Sequence, residues 1–362
     1  MKKLFLLTVL LGSLLLPSSL KAYDFEEGGI YYKILSREYK TVAVTYGVND
    51  YLQGNTYHGE INIPDVVRDY KVTTIGAYAF YKCEDVTSVT LGNSIQTIEQ
   101  SAFTFCSGIT SIDIPQSVSF IEYFTFNRCN SLLEINVSDQ NSYYTSIDGV
   151  LYDKDVKEII SFPGGKTSVT IPESISIINA SAFSMCVNLE SVVIPESVTL
   201  IDNGAFVGCS SLPSIVIPDS VVKMGSDMFW GCTSLEDLTI GSEIKEMEVG
   251  TFNDCISLTK VTCRAPEPPN CYFPPVVPIE SATLYVPYQS LEKYKTTSPW
   301  KNFGTIIPFG EAGMISINSK ELDSVSIYGI NGLKVEENKD NGSINNLPAG
   351  LYIVNGKKII VK

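Results

Sequence analysis

The stretch "IDNGAFVGCSSLPSIVIPDSVVK", residues 201–223, decides the architecture. Phe206 stands three residues before Cys209, and Leu212, Ile215 and Ile217 follow that cysteine by three, six and eight. The pattern is LxxLxL, ending in a period-2 pair. Period 2 in β-branched residues argues a short strand with one buried face. Pro218 comes next. Proline cannot donate to a sheet ladder, so the strand ends there. A second short apolar segment, such as residues 198–201, leads into Ala205 and Phe206, which reads as a brief helical turn.

Working outward, the same frame recurs every 23 residues. The cysteines are Cys83, Cys106 and Cys129, then Cys186, Cys209, Cys232 and Cys255. The phenylalanines are Phe80, Phe103, Phe126, Phe183, Phe206, Phe229 and Phe252. The strand slots hold pairs such as Val89 and Leu91, Ile112 and Ile114, or Leu238 and Ile240. A fixed period of this length is the mark of a solenoid. One coil cannot bury its Phe, Cys and Leu alone, but stacked coils share a core and gain stability from each neighbour.

The 57 residues from Cys129 to Cys186 hold one repeat plus 34. With Pro163 in the cysteine slot, Ile171 and Pro172 fall on the strand register. This coil is lengthened by eleven residues, placed around 141–152. Ile63 and Pro64 mark an incomplete first coil, with five extra residues before Ile75. About nine coils and one continuous core follow.

The fold expected is an α/β repeat solenoid: a leucine-rich repeat of 23-residue period with short strands and brief helical turns, then a small C-terminal antiparallel β unit. The chain divides into a leader (1–22), an N-terminal cap with the first incomplete coil (23–74), repeats (75–270), a C-terminal cap (271–310) and a β tail (311–362).

Residues 201–223, the opening "FEEGGIYYKIL" and the later "ATLYVPYQSLEKYKTTSPWKNF" resemble the bacterial BspA-like leucine-rich repeat family. The resemblance covers roughly residues 23–309. It implies a curved or twisted solenoid on or outside the cell. Some members of the family are adhesins for host matrix proteins or other cells.

Residues 1–22 read as a secretory signal: Lys2 and Lys3, an apolar stretch over 4–16, and Ala22 before the cleavage point. The stretch is short for a membrane span. The tail carries short strand-like runs at 314–317, 325–328, 351–354 and 358–361. Asn331 with Gly332, and Asn355 with Gly356, are hairpin signals. Its "VSIYGINGLKV" and "LPAGLYIVNGKKIIVK" resemble the C-terminal sorting domain of type IX secretion, which implies export across an outer membrane.

The chain has 26 basic and 40 acidic residues, a net charge of −14. Without Lys2, Lys3 and Lys21 the balance is −17. Such a charge repels phosphate backbones, so nucleic acid is not an expected partner. Nine cysteines in an exported protein would ordinarily suggest disulfides. Here seven follow a core phenylalanine at fixed offset, the behaviour of a small buried hydrophobe, and Cys263 fills a strand core slot. Free buried thiols are therefore expected. Cys271 stands outside the ladder, and a bridge between Cys263 and Cys271 stays open.

The only histidine is His58, so neither a His-based triad nor a multi-histidine metal site can be assembled. No phosphate-cradling glycine motif occurs between a strand and a helix. No enzyme and no cofactor are expected. Recognition is, with the residues five and seven past each cysteine turned outward. Most are small and polar, but Val193 and Val216 are outward on adjacent coils, flanked by Ser191 and Ser214. Trp230 fills a turn slot held elsewhere by Tyr81, Thr104, Asn127, Ser184, Val207 and Asn253. Tyr143, Tyr144 and Tyr152 in the lengthened loop are further candidates. The function expected is adhesin-like binding of a host or microbial surface protein or glycan, by a protein secreted or held on the outer cell surface. The alternatives are a structural surface spacer and, remotely, a glycan-active enzyme.

Overall fold

The computed structural model describes residues 22–47, 57–271 and 278–310, together with the backbone of four tail strands. The leader up to residue 21, the run at 314–317 and both Asn-Gly turns lie outside the described residues.

The solenoid has about 11 turns, each built from two short strands. The first is the LxxLxL strand: Ser191–Val193, Ser214–Val216, Asp237–Ile240 and Lys260–Cys263 are successive examples. Where neighbours pair they do so in parallel and one period apart, as in Ser214 with Asp237 and Asp237 with Lys260. Ser168 pairs with Ser191, so Pro163 does hold the cysteine slot of the irregular coil. The second strand is two residues long, as in Ile177–Ile178, Leu200–Ile201 and Lys223–Met224. These also stack in parallel at the same period.

The phenylalanine and cysteine ladders are buried throughout. Successive rings lie face to face: Phe80 on Phe103 at 5.1 Å, Phe103 on Phe126 at 5.8 Å, Phe183 on Phe206 at 4.9 Å. Offset stacking at such distances adds to what burial alone supplies.

The segment around each phenylalanine is a chain of turns and not a helix. Alternate amides leave the coil: Tyr78, Phe80 and Lys82 donate to Gln100, Ala102 and Thr104 of the next one. The amides between them bond three residues back, as Ala79 to Gly76 and Tyr81 to Tyr78. Residues two before and two after each phenylalanine are left-handed, for example Tyr78 (φ 59°) and Lys82 (φ 58°), or Gly204 and Gly208. An i→i−4 ladder cannot run through such a pattern. The one α-helix among the described residues is Leu291–Thr296.

The irregular coil differs from expectation in its core. Its phenylalanine place is taken by Phe162, which stacks on Phe183 at 5.0 Å and donates its amide to Ala182 as the other ladder phenylalanines do to theirs. Counting back three from Pro163 gives Ile160 instead; the turn here is two residues shorter.

The continuous core expected from stacking is two cores. One runs from Ile30 to Leu151, the other from Val150 to Phe303. The inserted residues form a hairpin, Tyr144–Ile147 with Val150–Asp153. Successive strand side chains point to opposite faces. Leu151 therefore packs into the first core, and Val150 and Tyr152 into the second. The hairpin is a wall between them.

At the N-terminal end, Phe25–Glu27, Ile30–Ser36 and Thr41–Thr45 form an antiparallel meander joined in parallel to Tyr70–Ile75. At the other end, Thr283–Pro287 and Thr305–Phe309 continue the first-strand ladder, Thr283 pairing with Lys260 at the same period. Tyr294, Trp300 and Phe303 are buried there. The tail strands Lys334–Asn338, Val325–Gly329, Gly350–Val354 and Lys357–Val361 pair antiparallel in that spatial order.

Candidate functional site

Strand alternation turns the positions five and seven past each cysteine away from the core, and the structure exposes most of them. They are not alike along the solenoid. Toward one end, Asn136 donates to the Asp113 carboxylate at 3.0 Å. Toward the other, Lys260 bonds Asp237 at 2.6 Å. Each end thus carries one cross-coil pair among otherwise polar side chains. Between them lie Ser168, Thr170, Ser191, Val193, Ser214 and Val216. Val193 is 57% exposed and Val216 52%. The hydroxyls of Ser191 and Ser214 make no hydrogen bond within the described residues. The result is an apolar pair flanked by uncommitted hydroxyls on a face of short polar side chains.

Trp230 is 47% exposed, but it stands on the turn beside Phe229 and not on the strand face. Its indole N–H donates to the Asp254 carboxylate, 2.7 Å away on the next coil. The structure therefore brings Ser191, Val193, Ser214 and Val216 together and leaves Trp230 on a different edge.

The tyrosines of the lengthened loop serve mostly the fold. Tyr144 and Tyr152 are buried; Tyr143 is exposed. The Tyr144 hydroxyl accepts the amide of Ile121, closing the edge of the second-strand ladder. Asn141 is buried and fully used. Its amide donates to the carbonyls of Pro115 and Val118, and its oxygen accepts the amides of Tyr143 and Tyr144, all at 2.8–2.9 Å. An open cleft near the N-terminal end is lined by Lys40, Asp65, Asp69 and Ser94. Its charges are spent locally: Lys40 pairs with Asp69, and Asp65 accepts the Ser94 amide.

All nine cysteines are free thiols, Cys263 and Cys271 included. Burial pushes the thiols of Cys83 and Cys129 up to about 12, and Cys106 and Cys209 well upward. Cys263, which accepts the Tyr294 hydroxyl, rises to about 11. A thiol held in this way is protonated at neutral pH, so it is neither a nucleophile nor a ready metal ligand.

The repeat count alone does not show a second surface feature, in which only Lys82 is fully exposed and the other members are partly buried. Tyr78, Tyr81, Lys82, Phe105 and Arg128 form a row on the turn edge of the first three regular coils. Its signal in sequence is one column of the repeat, two residues past the phenylalanine, which reads Lys82, Phe105, Arg128.

The model of the BspA type leucine-rich repeat region matches residues 50–165 and 161–266, with six copies. No curated protein matches significantly. Among solved structures, a leucine-rich repeat protein from Eubacterium ventriosum is 20% identical over 78% of this chain and 91% of its own, with a TM-score of 0.43. A leucine-rich cell surface protein from Faecalibacterium prausnitzii is 21% identical over 80% and 95%, with a TM-score of 0.41. The T. pallidum leucine-rich repeat protein is 24% identical over 65% and 90%, with a TM-score of 0.36.

Proposed function

The chain belongs to the BspA type leucine-rich repeat family, and from that premise we propose that it is a secreted or surface-held recognition protein that binds a host or microbial surface protein or glycan. One observation carries the reading: the middle of the strand face holds two half-exposed valines side by side on neighbouring coils, beside serine hydroxyls with no partner among the described residues, where the outward positions of the other regular coils are polar. Affinity on such a face is a sum of shallow contacts from successive coils. Val193 and Val216 give the apolar contact, and Ser191 and Ser214 the hydrogen bonds. Trp230 belongs to a separate contact on the turn edge, its ring held by Asp254.

The leader and the tail fit export. The four antiparallel tail strands, with the sorting-domain-like residues 325–335 and 347–362, support a sorting role. Deleting residues 311–362 should then leave the protein inside the outer membrane, which fractionation of the producing cells would read.

The binding reading is tested with the full chain on an array of matrix proteins, mucins and glycans. A saturable partner whose affinity falls on Val193→Thr and Val216→Thr supports it. Absence of any saturable partner favours the spacer.

A further inference from the structure

We infer that the turn edge of the first three regular coils is a binding site for an acidic polysaccharide, held by a row of cation, ring, ring and cation. The Lys82 ammonium stands over the Tyr81 ring at 5.5 Å. Tyr81 meets Phe105 edge-on at 5.5 Å. The Arg128 guanidinium lies over Phe105 at 5.1 Å. Tyr78 extends the row, 5.8 Å from Tyr81. A guanidinium stacked on a ring still presents its N–H edge outward, in the fork that suits a carboxylate or sulfate. Among the described residues Arg128 makes no ion pair.

The charge placement is local. Residues 72–153 contain nine acidic side chains and only two basic ones, Lys82 and Arg128. Both lie in this row. Within residues 72–153 an anion meets positive charge only here. Later coils do not repeat the feature. The slots held by Tyr81 with Lys82 are there Ser184 with Met185, Val207 with Gly208, Trp230 with Gly231, and Asn253 with Asp254.

The backbone of this column is left-handed in every regular coil: Lys82, Phe105 and Arg128 sit at φ 58°, 66° and 58°, Met185 and Asp254 at 59° and 56°, and Gly208 and Gly231 at 69° and 74°. The side chains of the first three coils therefore leave the turn from equivalent positions, one coil apart.

Spacing selects the polymer. Amide bonds tie these turns coil to coil, Lys82 to Thr104 and Phe105 to Asn127. At about 4.8 Å per coil, the backbone positions of Lys82 and Arg128 are about 10 Å apart along the axis. That is close to one disaccharide of an extended chain, so a polymer with an acid on every second sugar meets both cations. Tyr81 and Phe105, packed edge to face between the cations, hold the two charges in place. An acidic peptide in a β-strand places same-face carboxylates about 6.8 Å apart, and one in a polyproline II helix about 9.3 Å, so an acidic peptide is the comparison that the test must include. The proposal stands apart from the strand-face reading and uses none of its residues.

The test is fluorescence anisotropy of a labelled hyaluronan oligosaccharide, which alternates uronic acid and amino sugar, titrated with the full chain. Dextran and polyglutamate are the neutral and peptide comparisons. The expected result is saturable binding that weakens as salt rises and drops about ten-fold or more in Lys82→Gln with Arg128→Gln. Val193→Thr and Trp230→Ser should leave it unchanged. Should the double variant melt early, Arg128→Gln alone and Tyr81→Ser should each weaken binding in the same direction. No saturable hyaluronan binding would overturn the proposal. So would binding indifferent to Arg128→Gln and Tyr81→Ser. Equal or tighter binding of polyglutamate would replace the polysaccharide with an acidic protein.

Discussion

The thiol of Cys232 donates to the carbonyl oxygen of Phe206, 3.1 Å away on the preceding coil. The same carbonyl accepts the amide of Cys209 in its own coil. The contact recurs from Cys106 to Phe80, Cys129 to Phe103, Cys209 to Phe183 and Cys255 to Phe229, each at 3.1 Å. It stretches to 3.7 Å only from Cys186 to Phe162, where the coil is irregular. This explains why the slot holds cysteine and not alanine or valine. The side chain must be small and apolar, and still offers a second donor to a buried carbonyl that already accepts one amide.

The phenylalanine stack should dominate stability. Phe206→Ala should cost about 3–5 kcal/mol, as for a large-to-small change in a core. Phe162→Ala should fall in the same range, although Phe162 is off the 23-residue count. Ile160→Ala should cost clearly less. Urea titration monitored by circular dichroism would rank the three.

The buried thiols should be silent until the fold opens. Reaction with a disulfide reagent should be slow in the native chain and complete on addition of denaturant. Cys271, the one cysteine that is not fully buried, should react first.

Alkaline pH should loosen the solenoid. Burial raises the Cys83 and Cys129 thiols from their ordinary 9.0 to about 12. The unfolded chain therefore releases these protons first as pH climbs. The stabilisation is complete below about pH 9 and is lost between there and about 12. At pH 10 each such thiol should have given up on the order of 1 kcal/mol. Melting temperature measured from pH 8 to 10.5 should decline, and more steeply in the upper half of that range.

Asn141 should matter as much as a ladder residue. Asn141→Ala strands the Val118 carbonyl and two amides where the cores meet and leaves the Pro115 carbonyl with only the Val118 amide, and should cost about 2–4 kcal/mol. Hydrogen exchange should show the loss of protection concentrated at Ile121, Tyr143 and Tyr144.

Much of the fold is legible from spacing alone. The register that places Pro163 in the cysteine slot, the LxxLxL strands and the exposure of Val193 and Val216 all follow from a 23-residue count. Phe162 does not, because a count anchored on cysteine cannot see a turn shortened by two residues. The turns read as helical because Tyr78, Lys82, Ser101 and Phe105 give no hint of left-handed backbone. Only the glycines at 204, 208, 231 and 250 mark those positions. The division of the core is hidden for a different reason. Val150 and Leu151 are both ordinary core residues, and only strand alternation within an inserted hairpin assigns them to opposite sides. The turn-edge row is invisible in a linear reading because its members come from three coils and touch only in space.

The most direct test of the central claim is an equilibrium binding titration of the full chain against surface proteins and glycans, with Val193→Thr and Val216→Thr in parallel. Both substitutions keep the branched shape on an exposed strand, so stability should move by no more than about 0.5 kcal/mol. At least one saturable, competable partner is expected, with an affinity that falls about ten-fold when both valines are changed. A partner bound equally well by wild type and the double variant, or no saturable partner at all, would contradict it.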